Sequence, residues 1–133
     1  MADTPKYLTE IKHKLDTLPE TIEKHETALY AAQLKVDNLR AQLKAVDAQL
    51  AATIEGEIDA NTGKPRYSNE TRRQAELVTR RGQDQDYLDT SLSLTDAEKE
   101  LSKLKIELNR ASNEFSANKH LADMFSSYLR SQA

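Results

Sequence analysis

The chain has 133 residues, of which 31% are charged, with a net charge of −3 at neutral pH. It has no Cys, no Trp, 5% aromatic residues, three Gly and three Pro. This excludes disulfides and thiolate metal sites, leaves little for a thick globular core, and lacks the basic balance of a nucleic-acid-binding domain.

The first element is a helix predicted over 5–58. Its apolar positions are Leu8, Ile11, Leu15, Leu18, Ile22, His25, Leu29, Ala32, Val36, Leu39, Leu43, Val46, Leu50 and Thr53. Their spacing alternates between three and four residues without a slip, which is a heptad pattern. Thr4 and Pro5 fit a helix start, with proline at the first helical position. Thr17 and Glu20 fit a capping box, and Pro19 removes a helical hydrogen bond, so a kink or break is expected near 16–19.

The tip is predicted over 59–68, where Asp59, Asn61, Gly63 and Pro65 supply turn chemistry. Ser68 reads as the cap of a second helix over 69–131, with Glu70 favourably placed in its first turn. Its clear seam is Leu101, Leu104, Leu108, Ala111, Phe115, Asn118, Ala122, Phe125 and Leu129. Between 82 and 95 the register is irregular. Leu88 and Leu92 fit one frame, Leu94 and Ala97 fit the next, and Thr95 with Glu98 reads as another capping box.

Two helices of roughly 80 and 95 Å joined by a short turn must lie antiparallel. Folding about the tip sets Leu50 against Leu77, Leu39 against Leu88, Ile22 against Leu104 and Ile11 against Phe115. The expected fold is all-α: one domain over 1–133, a long antiparallel coiled-coil helical hairpin that assembles into a helical bundle oligomer.

Two features call for that assembly. Ala41, Ala45, Ala48 and Ala52 repeat on the outer face of the first helix, where small residues allow close approach. Leu121, Met124, Phe125, Tyr128 and Leu129 crowd the C-terminal end, an apolar cluster that needs cover. The bland alternatives are that Ala simply favours helix and that the cluster packs on Tyr7 and Leu8. The partner expected from these residues is a second copy, in a dimer or higher even oligomer, or another protein.

Charge is unevenly spread. Residues 59–82 carry six cations (Lys64, Arg66, Arg72, Arg73, Arg80, Arg81) against three carboxylates, net +3, whereas 1–58 and 83–133 are each −3. With Tyr67 among these cations, the tip is a candidate contact for nucleic acid or an acidic protein surface. Local pairing is the competing use: Arg72–Glu76 and Glu76–Arg80 stand at helical spacing.

The tip phrase from Gly63 through Lys64, Pro65, Arg66, Tyr67, Ser68, Asn69 and Glu70, continuing to Leu77, resembles a segment of small coiled-coil proteins encoded by bacteriophages and prophages. That resemblance implies a setting, phage nucleic-acid metabolism or the countering of a host process. It implies no mechanism.

Catalytic chemistry has little to stand on. A calcium loop from Asp59 to Glu70 puts Gly63 one position early and Lys64 where the glycine belongs. Glu10–His13 is the only Glu-x-x-His pair, and a di-iron bundle needs two. His25 and Asn118 read as polar seam positions that set register, and His120 stands alone. Glu20, Glu23 and Glu26 with Asp96, Glu98 and Glu100 opposite outline a remote alternative, a magnesium-dependent nucleotide hydrolase. No phosphate-binding loop or nucleophile elbow is present. No cofactor and no enzyme activity are expected. No apolar run reaches the about 18 residues of a membrane span, and Met1–Lys14 lacks a signal-peptide core, so no membrane partner and a cytoplasmic location are expected.

Overall fold

The computed structural model describes residues 6–132. It is all-α: α1 runs over Lys6–Gly56, α2 over Glu70–Arg81 and α3 over Gln85–Ser131. Among the described residues there is no strand, only an isolated bridge between Ile58 and Pro65. The expected helix start at Thr4 and Pro5 lies outside the described residues.

α1 is continuous through Pro19. The Thr17 hydroxyl donates to the His13 carbonyl at 2.9 Å, four residues back, so Thr17 sits inside the helix and caps nothing. Leu18 is buried beside Pro19, with Leu15 and Ile22 partly buried on either side. Each such side chain contributes about 1.5–3 kcal/mol when buried, enough together to offset the about 3 kcal/mol cost of an internal proline.

The second predicted helix is two helices. Asn69, not Ser68, caps α2: its side chain accepts from the Arg72 N–H at 2.8 Å, and its carbonyl accepts from the Arg73 N–H. α2 stops at Arg81, where the N–H groups of Gln83 and Asp84 both turn back to the Arg80 carbonyl. Asp84 then caps α3, accepting from the Tyr87 N–H at 2.8 Å. The irregularity expected near 82–95 is thus a three-residue break at 82–84. Thr95 lies well inside α3 and donates to the Ser91 carbonyl, so it starts no helix.

Contacts divide the chain into two compact units, Met1–Ala32 with Glu100–Ala133, and Gln33–Lys99. In the first, the α1 positions from Leu8 to Ala32 and the α3 positions from Leu101 to Phe125 named above are all partly or wholly buried. Ile11, Leu18, Leu101 and Ala111 are its most enclosed residues. Tyr7 meets Phe125 edge-on at 5.8 Å, Lys14 meets Glu114 at 2.9 Å, and His25 lies 3.9 Å from Glu107. Partner numbers fall along α3 as they rise along α1. Leu129, expected on this seam, is largely exposed.

The second unit is centred on Val36, Ile54, Leu77 and Ala97. Here the expected register changes. Thr53 is exposed and Ile54 takes its place at 1% exposure. A straight helix repeats every 3.6 residues and drifts off a strict seven-residue repeat, and two successive steps of four (Val46, Leu50, Ile54) bring Ile54 inward. Leu88 and Leu92, expected on the seam, are 42% and 63% exposed. The later frame, through Leu94 and Ala97, extends back to Tyr87 because α3 begins afresh at Asp84.

Candidate functional site

Three surfaces were singled out by the sequence: the basic tip, the alanine face and the C-terminal apolar cluster.

The tip is closed by its own backbone. The Arg66 N–H donates to the Glu57 carbonyl at 2.9 Å, and the Asp59 N–H to the Lys64 carbonyl at 2.8 Å. The Asp59 carboxylate accepts from the Asn61 N–H, and Gly63 turns the chain with φ +68°, a left-handed conformation that glycine adopts at little cost.

Most of the tip cations are occupied. Arg80 holds both carboxylate oxygens of Glu57 at 2.6 Å and one of Glu76 at 2.8 Å. Arg81 holds both oxygens of Asp47 at 2.6 and 2.8 Å. Arg73 donates to Glu70 and to the Tyr67 carbonyl. Arg66 stands 3.9 Å from Glu57 and, like Arg80, within 6 Å of the Tyr67 ring. Such two-pronged arginine–carboxylate bonds are stronger and more directional than a single ion contact. Bonding to Arg80 holds the Glu57 carboxyl below its ordinary pKa, and bonding to Arg81 does the same for Asp47. Glu70 is lowered chiefly by Gln74 and then by Arg73. Of the two expected local pairs, Glu76–Arg80 forms. Arg72 and Lys64 have no carboxylate partner among the described residues. Sequence reasoning found the cationic cluster but missed its partners Asp47 and Glu57.

On the alanine face, Ala41, Ala45, Ala48 and Ala52 are all exposed.

The C-terminal cluster is a formed site. Within the first unit, α1 and α3 leave a groove of about 530 Å³. Tyr7 and Ile11 line it from α1; Leu121, Met124, Phe125 and Tyr128 line it from α3. The edge-on contact of Tyr7 with Phe125, and Tyr128 at 6.1 Å from the same ring, fix its floor. Lys14 and Glu114 form an ion pair on its wall. Asn118, also on the wall, donates to the Glu114 carbonyl, so its amide is already engaged. Packing on Tyr7 therefore does occur, yet it leaves Tyr7, Leu121, Met124, Tyr128 and Leu129 between 48% and 58% exposed. The α3 half of this site was visible in the sequence. In the sequence Ile11 and Tyr7 figure only as seam and as cover.

Among the described residues, no three His, Asp or Glu side chains gather closely enough to hold a metal ion. Glu98, one of the acids considered for magnesium, is bonded to Arg40 at 3.4 Å. No described helix is long and apolar enough to cross a membrane. Comparison of the chain with protein-family models, curated proteins and solved structures gives no match.

Proposed function

We propose that this chain is a non-catalytic protein–protein interaction module, an antiparallel coiled-coil helical hairpin whose working surface is the apolar groove between Tyr7 and Tyr128. One observation carries the reading: Tyr7, Leu121, Met124 and Tyr128, which line that groove, and Leu129, next to Tyr128 in the chain, stand about half open to solvent. Tyr and Met are among the residue types enriched at protein interfaces, and an exposed apolar patch of this kind marks a contact surface. The scaffold, adaptor and inhibitor roles all use such a surface, and each fits the phage setting that the tip phrase resembles.

The alternative is a nucleic-acid accessory protein acting through the tip. It has less support, because Arg66, Arg73, Arg80 and Arg81 already face carboxylates. Only Lys64 and Arg72 remain for phosphate.

Affinity capture from the native host separates the readings. The module reading expects proteins recovered by the wild type to be lost with Leu121→Asp and retained with Lys64→Glu plus Arg72→Glu. The opposite pattern would transfer the function to the tip. Recovery unchanged by Leu121→Asp would remove the groove from the account.

A further inference from the structure

We infer that the occupant of the Tyr7–Tyr128 groove is the same groove of a second copy of this chain, related by a two-fold axis. This rests on the reading of the groove as an interaction surface and names its partner.

The first argument is shape. A two-fold contact needs one surface that carries both a protrusion and the hollow that receives it. Here half-exposed large side chains border the hollow. Tyr128 lines the hollow and is 58% exposed, and Leu129, next to it in the chain, is 55% exposed. A head-to-tail contact would need a matching protrusion on a different face. The exposed Ala41, Ala45, Ala48 and Ala52 contribute only single methyl groups as side chains.

The second argument is charge. The groove wall carries Glu10 and Glu114 against Lys14. The exposed neighbours of the apolar cluster are Lys6, Lys119 and Arg130 against Asp123. A strongly acidic or strongly basic partner gains little from so mixed a rim. A second copy brings the same near-balanced set, and a two-fold rotation can place its cations against the first copy's carboxylates.

The third argument is area. An aromatic side chain buries roughly 200 Å²; with Leu and Met counted at about the same size, five that are half open offer at most about 500 Å² per copy. The pair then buries at most about 1,000 Å², the size of a weak, transient interface. The expected dimer is reversible, with a Kd on the order of micromolar. Because its centre is apolar, added salt weakens it little.

The test is sedimentation velocity across the micromolar range, combined with oxidative cross-linking. The chain has no Cys, so a single introduced thiol reports one position. The wild type is expected to dimerise, and Leu121→Asp to raise the Kd by about tenfold or more. Leu121→Cys or Met124→Cys should yield a disulfide-linked dimer. Lys103→Cys, exposed and outside the groove, should not. Circular dichroism checks that each variant stays helical, which the half-open position of Leu121 favours. A dimer that Leu121→Asp leaves unchanged overturns the inference, because another face would hold it. A wild type monomeric throughout also overturns it, and an apolar dye then distinguishes two failures. Dye fluorescence abolished by Leu121→Asp leaves the groove a contact surface for a different partner. No dye binding at all removes the interaction reading as well.

Discussion

Arg81 grips Asp47 through two hydrogen bonds of 2.6 and 2.8 Å, joining the last turn of α2 to α1 across 34 residues of sequence. One residue earlier, Arg80 grips Glu57 in the same two-pronged way. α2 has 12 residues, of which only Leu77 is buried. Its attachment therefore rests on Leu77 together with these arginines, and it is expected to be the least stable helix of its unit.

Removing Asp47 from the pair should loosen α2 first. Asp47→Asn leaves one acceptor in place of a charged, two-oxygen partner. The pair is about one-third exposed, so the expected loss is about 1 kcal/mol in urea denaturation. Hydrogen exchange should accelerate in α2 and leave the amides around Ile11 and Leu18 unchanged. Uniform acceleration would show that α2 has no separate stability.

Acid should act on the same bonds. The carboxyls of Asp47 and Glu57 are held below their ordinary values of 3.8 and 4.5 by their arginines. A group with a depressed folded pKa binds fewer protons in the folded chain than in the unfolded one, so it stabilises the fold above the unfolded pKa. That contribution is complete at neutral pH, declines as pH falls past the ordinary carboxylate range, and is gone below the depressed folded pKa. Arg80 and Arg81 are shifted upward and stay charged throughout. Protection of α2 amides measured from neutrality downward should fall in that window, and less so in Asp47→Asn. A fall centred near neutrality would contradict the assignment.

The tip should tolerate little at Gly63. A Cβ there meets nothing within 4 Å, so the cost of Gly63→Ala comes from the left-handed backbone alone. The expected destabilisation is about 1 kcal/mol, and Gly63→Asn should recover part of it. Thermal denaturation of both variants checks this. Equal stability for glycine and alanine would mean that the turn is formed differently.

The break between α2 and α3 should depend on Asp84 rather than on Gly82. Gly82 has an ordinary helical φ of −71°, and a Cβ there would meet only ordinary contacts, 3.5 Å at the closest. Gly82→Ala should be neutral or stabilising by about 0.5 kcal/mol. Asp84→Ala should cost about 1 kcal/mol through loss of the α3 cap. Chemical denaturation of the two variants would reverse this order only if glycine itself made the break.

Much of the helical organisation was legible. Fourteen α1 positions were named for the seam, and the structure encloses those from Leu8 to Leu50 because each turn repeats the same apolar face. The pattern failed where a local cap outweighed it. Asp84 restarts the helix and sets the frame that turns Leu88 and Leu92 outward. Thr95 with Glu98 fits the capping-box pattern, whereas Asp84, the residue that caps α3, has Tyr87 and not Glu or Gln three residues on. At the tip, composition revealed six cations but not their use, since Glu57 and Asp47 lie 23 and 34 residues from Arg80 and Arg81. The groove was half legible. The α3 cluster stood out as apolar excess, whereas Tyr7 and Ile11 join it only once α1 and α3 meet.

The claim that the groove is a protein contact surface can be read at one atom group. The chain has two methionines, Met1 and Met124, so the Met124 methyl signal in an NMR spectrum is readily assigned. Over a dilution series, and on addition of native-host extract, that signal should shift or broaden while a methyl on the outer alanine face, such as Ala48, stays fixed. An invariant Met124 methyl in every sample, with free-tumbling linewidth, would contradict the account.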